Sequence, residues 1–72
     1  MTECPEHTKL QEELGNILEK LAELTAAQLK AFQADDHQAF MRFDREVEKT
    51  IGIKERRVGA LRQHRADHKC QP

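Results

Sequence analysis

From Leu10 onward apolar residues fall at Leu10, Leu14, Ile17, Leu18, Leu21, Leu24, Leu29 and Phe32, most of them three or four positions from the one before. That spacing gathers them on one side of an α-helix, and a strand with its period of two does not fit. Pro5 is tolerated in a first helical turn, and Thr8 with Gln11 three residues on resembles a capping box, so the helix is expected to start between Pro5 and Thr8. The pattern stops at the polar stretch QADDHQ. There, Asp35 or Asp36 can accept the free N–H groups at the start of a new helix and place negative charge at its positive end.

A second stripe follows: Phe40, Phe43, Val47, Ile51, Val58 and Leu61. Lys54 interrupts it, as a side chain whose stem packs while its ammonium reaches water. The connection is a few residues long, so the two helices must be antiparallel neighbours. The chain is read as a single domain over residues 1–72, with helix one about 6–33, a turn about 34–36 and helix two about 37–68. The three glycines, Gly15, Gly52 and Gly59, all lie inside helical patterns rather than in the turn. One antiparallel register sets Gly15 against Gly59 and Ala22 against Gly52, which predicts close backbone approach; a bend of helix two at Gly52 is the alternative.

A lone hairpin of this kind leaves much of its apolar stripe in water. The fold class expected is therefore all-α: an antiparallel two-helix hairpin, coiled-coil-like, dimerising into a four-helix bundle. Composition agrees with long exposed helices, since 35% of residues are charged, 4% are aromatic, and Trp and Tyr are absent. The charge is unevenly spread. Residues 1–36 carry 3 basic and 8 acidic side chains, while residues 37–72 carry 9 basic and 5 acidic. Two oppositely charged segments lying against each other is the simplest reading, and the net charge of −1 argues against a general binder of polyanions. No run of apolar residues is long enough to span a membrane, and the N-terminal sequence has no secretory pattern, so a cytoplasmic protein is expected.

The chemistry that the pattern singles out is at the chain ends. Continuing the second stripe outward by sevens reaches His64 and His68, an i, i+4 pair, with Cys70 just beyond; stepping back from Leu10 reaches His7 and Cys4. Both stripes thus change from aliphatic to Cys/His at the open end of the hairpin, and the antiparallel register brings those ends together. Three readings stand. Imidazole and thiolate suit a borderline-soft metal, Zn²⁺ above all, with Cys4, His7, His64, His68 and Cys70 as five candidates for four positions. Cys4 and Cys70 could instead form a disulfide in an oxidising compartment. In the third reading, nothing binds and the residues are solvated.

No phosphate-binding loop, dinucleotide fingerprint, HExxH or Glu-x-x-His di-iron pair occurs, and no glycine-rich loop offers an oxyanion site, so no catalytic activity is expected. The functional expectation is a small protein–protein interaction or structural module acting as a homodimer, with another protein as a further partner. Glu12, Glu19, Glu23, Gln33, Arg56, Arg62 and Arg65 are expected to form its outer surface. No cofactor is expected unless the Cys/His end holds Zn²⁺, and that metal-binding bundle is the alternative. A second alternative is RNA or DNA binding through the basic second helix, by Lys54, Arg56, Arg57, Arg62 and Arg65.

Overall fold

The computed structural model describes residues 5–68, apart from the His68 side chain, as two helices packed side by side: α1 from Pro5 to Gln33 and α2 from His37 to His68. No strand occurs among the described residues. Helix α1 begins at Pro5, where a ring without an N–H is harmless, and Glu6 in its first turn and Lys30 in its last suit the helix dipole. Thr8 is therefore inside the helix, and the capping-box expectation fails at that position.

The connection takes only Ala34, Asp35 and Asp36. Asp35 has φ of 58°, the left-handed conformation that ends many helices. Around it, the N–H of Asp36 donates to the Ala31 carbonyl (2.9 Å) and that of Asp35 to the Phe32 carbonyl (3.1 Å), the paired bonds of a Schellman motif. Asp36 also opens α2: its carboxylate accepts the Ala39 N–H at 3.2 Å, and its carbonyl accepts that of Phe40 at 2.9 Å. One residue closes the first helix and caps the second.

Four cross-helix contacts fix the register. Phe32 meets Phe40 (ring centroids 6.0 Å apart), Gln28 Nε2 donates to Asp44 Oδ1 (3.0 Å), Arg57 pairs with Glu13 (3.6 Å), and His7 lies against His64 (6.0 Å). Continuing this register, Leu10 faces Leu61, Ile17 faces Lys54, Leu21 faces Thr50, Leu24 faces Val47 and Ala31 faces Phe40. These positions recur every three and four residues on both helices, the spacing of a coiled-coil seam. All of them are buried or half-buried. Thr50, one of the most buried residues, returns its hydroxyl to the Glu46 carbonyl at 2.8 Å and so leaves no donor unpaired at mid-seam.

The observed register differs from the one drawn through the glycines by about three residues, and the glycine expectation is corrected. Gly15 and Gly59 are exposed, and a Cβ built on either would meet nothing within 4 Å. Ala22 is exposed too. Their small size marks places off the seam, not places where backbones touch. Helix α2 also runs unbroken through Gly52.

The apolar pattern of α1 divides likewise. Leu18 and Leu29 are not in the seam, being 47% and 54% exposed, and Phe32, although its ring meets Phe40 at the turn end, leaves 67% of itself exposed. With Ala22 they follow the same three-and-four spacing, about 100° around the helix from the seam. What read as one wide stripe is two faces, and the hairpin covers only one.

Asp36→Ala removes the cap shared by both helices and is expected to lower stability by about 1 kcal/mol, whereas Asp35→Gly, which relieves the left-handed backbone, should raise it by up to about 1 kcal/mol. Gly59→Ala, on the outer side of α2, should stabilise by about 1 kcal/mol in thermal or urea unfolding. A loss of stability in that variant would restore the close-approach role for this glycine.

Candidate functional site at the open end of the hairpin

The end opposite the turn is built by the first turn of α1 and the last two turns of α2. His7 and His64 occupy the outermost layer of the seam, where the heptad spacing would ordinarily place aliphatic side chains. Both are almost fully buried, at 4% and 6% exposure. Their rings stand 6.0 Å apart between centroids and 31° from parallel. The sequence expectation that the two stripes bring these histidines together is met.

The polar atoms of the pair are unevenly provided for. Neither ring nitrogen of His7 has a hydrogen-bond partner, although both are buried. His64 Nδ1 has the Glu6 carboxylate 3.9 Å away, and Glu6 is itself mostly exposed. Sequence reasoning passed over Glu6. It precedes His7 directly and lies across the seam from His64, so the register, once known, would have found it. On the same side a shallow depression is lined by Glu6, Leu10, Ala60, Gln63, His64 and Asp67, and Gln63 donates to both carboxylate oxygens of Asp67 (3.0 and 3.1 Å).

Of the other predicted ligands, His68 is the final residue of α2, while its side chain lies outside the described residues, as do Cys4 and Cys70. Among the described residues, no group of three or more His, Cys, Asp or Glu side chains is arranged to hold a metal ion. Those residues place two imidazoles together with a carboxylate beside one of them.

The remaining candidate surfaces are simpler. Glu12, Glu19, Glu23, Gln33, Arg56, Arg62 and Arg65 are all exposed, as expected of an outer surface. The basic set of α2 is divided: Lys54 is half-buried in the seam, Arg57 is exposed but paired with Glu13, and Arg56, Arg62 and Arg65 are exposed. His37 is exposed at the start of α2, beside a small open depression formed with Ala31, Phe32, Asp35, Asp36 and Phe40. No helix among the described residues is long and apolar enough to cross a membrane.

No protein-family model matches the chain, and neither a curated protein nor a solved structure matches it.

Proposed function

We propose that this chain is a small helical interaction module that works as a homodimer, two hairpins packing into a four-helix bundle without catalytic activity. The observation that carries the reading is the second apolar face of α1, formed by Leu18, Leu29 and Phe32. A helix in a four-helix bundle touches two neighbours roughly 90° apart, and α1 has two apolar faces at about that angle. The hairpin's own α2 occupies one of them.

The shape supports the same conclusion. The molecule measures 53 × 18 × 11 Å, a slab one helix thick, whereas stable domains pack two layers around a core. Its radius of gyration is 16.1 Å, against about 11 Å for a compact chain of this length. It exposes 5706 Å², about 1,100 Å² more than a compact monomer of its mass. That excess is of the order of the 800 Å² or so that each partner contributes to a standard interface.

Charge selects an arrangement. Helix α1 carries 3 basic and 5 acidic residues and α2 carries 8 basic and 5 acidic. Placing each α1 beside the α2 of the second copy keeps every neighbour antiparallel and opposite in net charge. Pairing like helices would set acidic against acidic and basic against basic. The nucleic-acid reading has less support, because Lys54 and Arg57 are engaged within the hairpin.

Light scattering or sedimentation at micromolar concentration should give twice the 8.4 kDa chain mass. Leu29→Glu separates the readings: at an exposed site on a monomer it changes stability by no more than about 0.5 kcal/mol, but at a bundle interface it dissociates the dimer. A wild-type protein that sediments as a folded monomer, with a melting curve indifferent to this substitution, overturns the proposal.

A further inference from the structure

We infer that the two narrow edges of the hairpin are complementary docking surfaces, the outer stripe of α2 receiving the outer stripe of α1 from another copy of the chain. This goes beyond the face-to-face dimer and does not depend on it, because the edges lie opposite the seam while Leu18, Leu29 and Phe32 lie on a different side of α1. Four observations converge.

The first is the charge on α2. Opposite the seam, the three-and-four spacing runs through Gln38, Arg42, Arg45, Lys49, Arg56 and Gln63, all exposed. This stripe carries four cations and no acid, although α2 holds five acidic residues elsewhere. Lys49 has only a long, exposed contact with Glu46 at 3.9 Å, and Arg42, Arg45 and Arg56 have no carboxylate partner among the described residues. Like charges stand one turn apart along it, which destabilises a helix on its own.

The second is the corresponding stripe of α1, where Glu12, Glu19 and Glu23 occupy the middle and Lys9 and Lys30 the ends. The three carboxylates are exposed, with no ion-pair partner among the described residues, and Glu19 and Glu23 repel across one turn. Each edge therefore bears a cost that the hairpin does not offset and that the opposite edge of a neighbour would.

The third is the register between the two stripes. Copies laid side by side in the same orientation bring α2 of one against α1 of the next, antiparallel as within the hairpin. Setting Glu19 beside Lys49 then sets Glu12 beside Arg56 and Glu23 beside Arg45, with no like charges opposed. Sliding one copy by a heptad either way loses at least one of the three pairs. This register differs from that of the seam by about three residues, so neighbours stand nearly level, offset along the axis by about 5 Å.

The fourth is the pair of glycines in the basic stripe. Gly52 and Gly59 both lie inside α2, where glycine weakens a helix relative to alanine. A Cβ on Gly59 would meet nothing within 4 Å, and one on Gly52 only the Arg56 guanidinium at 4.0 Å, so the hairpin itself has no use for either. In the register that pairs the charges, Asn16 faces Gly52 and Lys9 faces Gly59. The bare backbone leaves room for those longer side chains, and the two gaps in the stripe are filled from the other copy.

The contact joins two different patches, so it is open-ended, and exposed ion pairs make it weak and salt-sensitive. Sedimentation of the full chain from micromolar to millimolar concentration tests it at about 10 mM and about 1 M salt, where the screening length is about 30 Å and about 3 Å. At low salt the average mass should rise with concentration; at high salt it should return to that of the smallest unit. Glu19→Lys with Glu23→Lys should abolish the rise, as should Arg45→Glu with Lys49→Glu, and circular dichroism should show both variants as helical as the wild type. Mixing the two variants pairs basic edges with acidic ones and should restore association. Gly52→Gln with Gly59→Gln should raise the melting temperature and yet weaken association several-fold. The inference is overturned by a mass independent of salt, by association that survives in either charge variant or is undiminished in the glycine variant, or by a mixture that fails to associate. It also falls if the chain keeps its unit mass at low salt but binds heparin, which assigns the stripe to polyanions. The face-to-face dimer is read separately: at high salt the unit is one chain or two, and Leu29→Glu should reduce it to one without removing the low-salt rise.

Discussion

The structure depends on one short connection. Between the Schellman closure of α1 and the cap of α2 there are only three residues, and Asp36 belongs to both devices. This fixes where α2 starts and how it is rotated about its axis. Adding or removing one residue there would turn α2 by about 100° and move every later side chain off its partner. The contact between His7 and His64, at the far end, is therefore set by hydrogen bonds near Ala31 and Ala39.

Along that register the seam is unusual in what it buries. Among the described residues Ala31 is the only buried apolar one, while His7, Thr50 and His64 are buried to a similar degree. The long aliphatic side chains stay half-exposed because nothing lies above or below the pair of helices. In a one-layer structure, depth comes from being small or central, not from being apolar. This explains why a threonine outranks leucine and isoleucine in burial here, and why the apolar residues of α1 still have surface to offer a second layer. The polar groups in the seam also discourage slippage, since a shift of α2 by one helical turn would separate Gln28 from Asp44 and Glu13 from Arg57 together.

Much of this was legible in the sequence, for identifiable reasons. Two long periodic segments with a polar break between them leave little choice but a helical hairpin, and extending both stripes outward found His7 opposite His64. Two things were hidden. Leu18, Leu29 and Phe32 are as apolar as the seam residues, so hydropathy alone could not divide one broad stripe into two adjacent faces; only the rotation fixed by the turn does so. The register drawn through the glycines failed because small size says nothing about direction, and Gly15 and Gly59 point away from the seam. The regular series His7, Leu10, Leu14, Ile17, Leu21, Leu24 held the better clue. Glu6 was missed because its role appears only after the register is known, and the surroundings of Cys4, His68 and Cys70 lie outside the described residues.

The hairpin also gives the molecule two unlike poles. At the turn, Phe32 and Phe40 pack together with an exposed Met41 nearby, an aromatic and thioether-rich tip; at the other end stand the two imidazoles. They are separated by about 25 residues of α1, some 38 Å at about 1.5 Å per residue, several times the screening length of physiological salt. Charge placed at the imidazole pole is thus electrostatically invisible at the aromatic pole. An event at one end can influence the other only mechanically, through the stiffness of two antiparallel helices lying side by side.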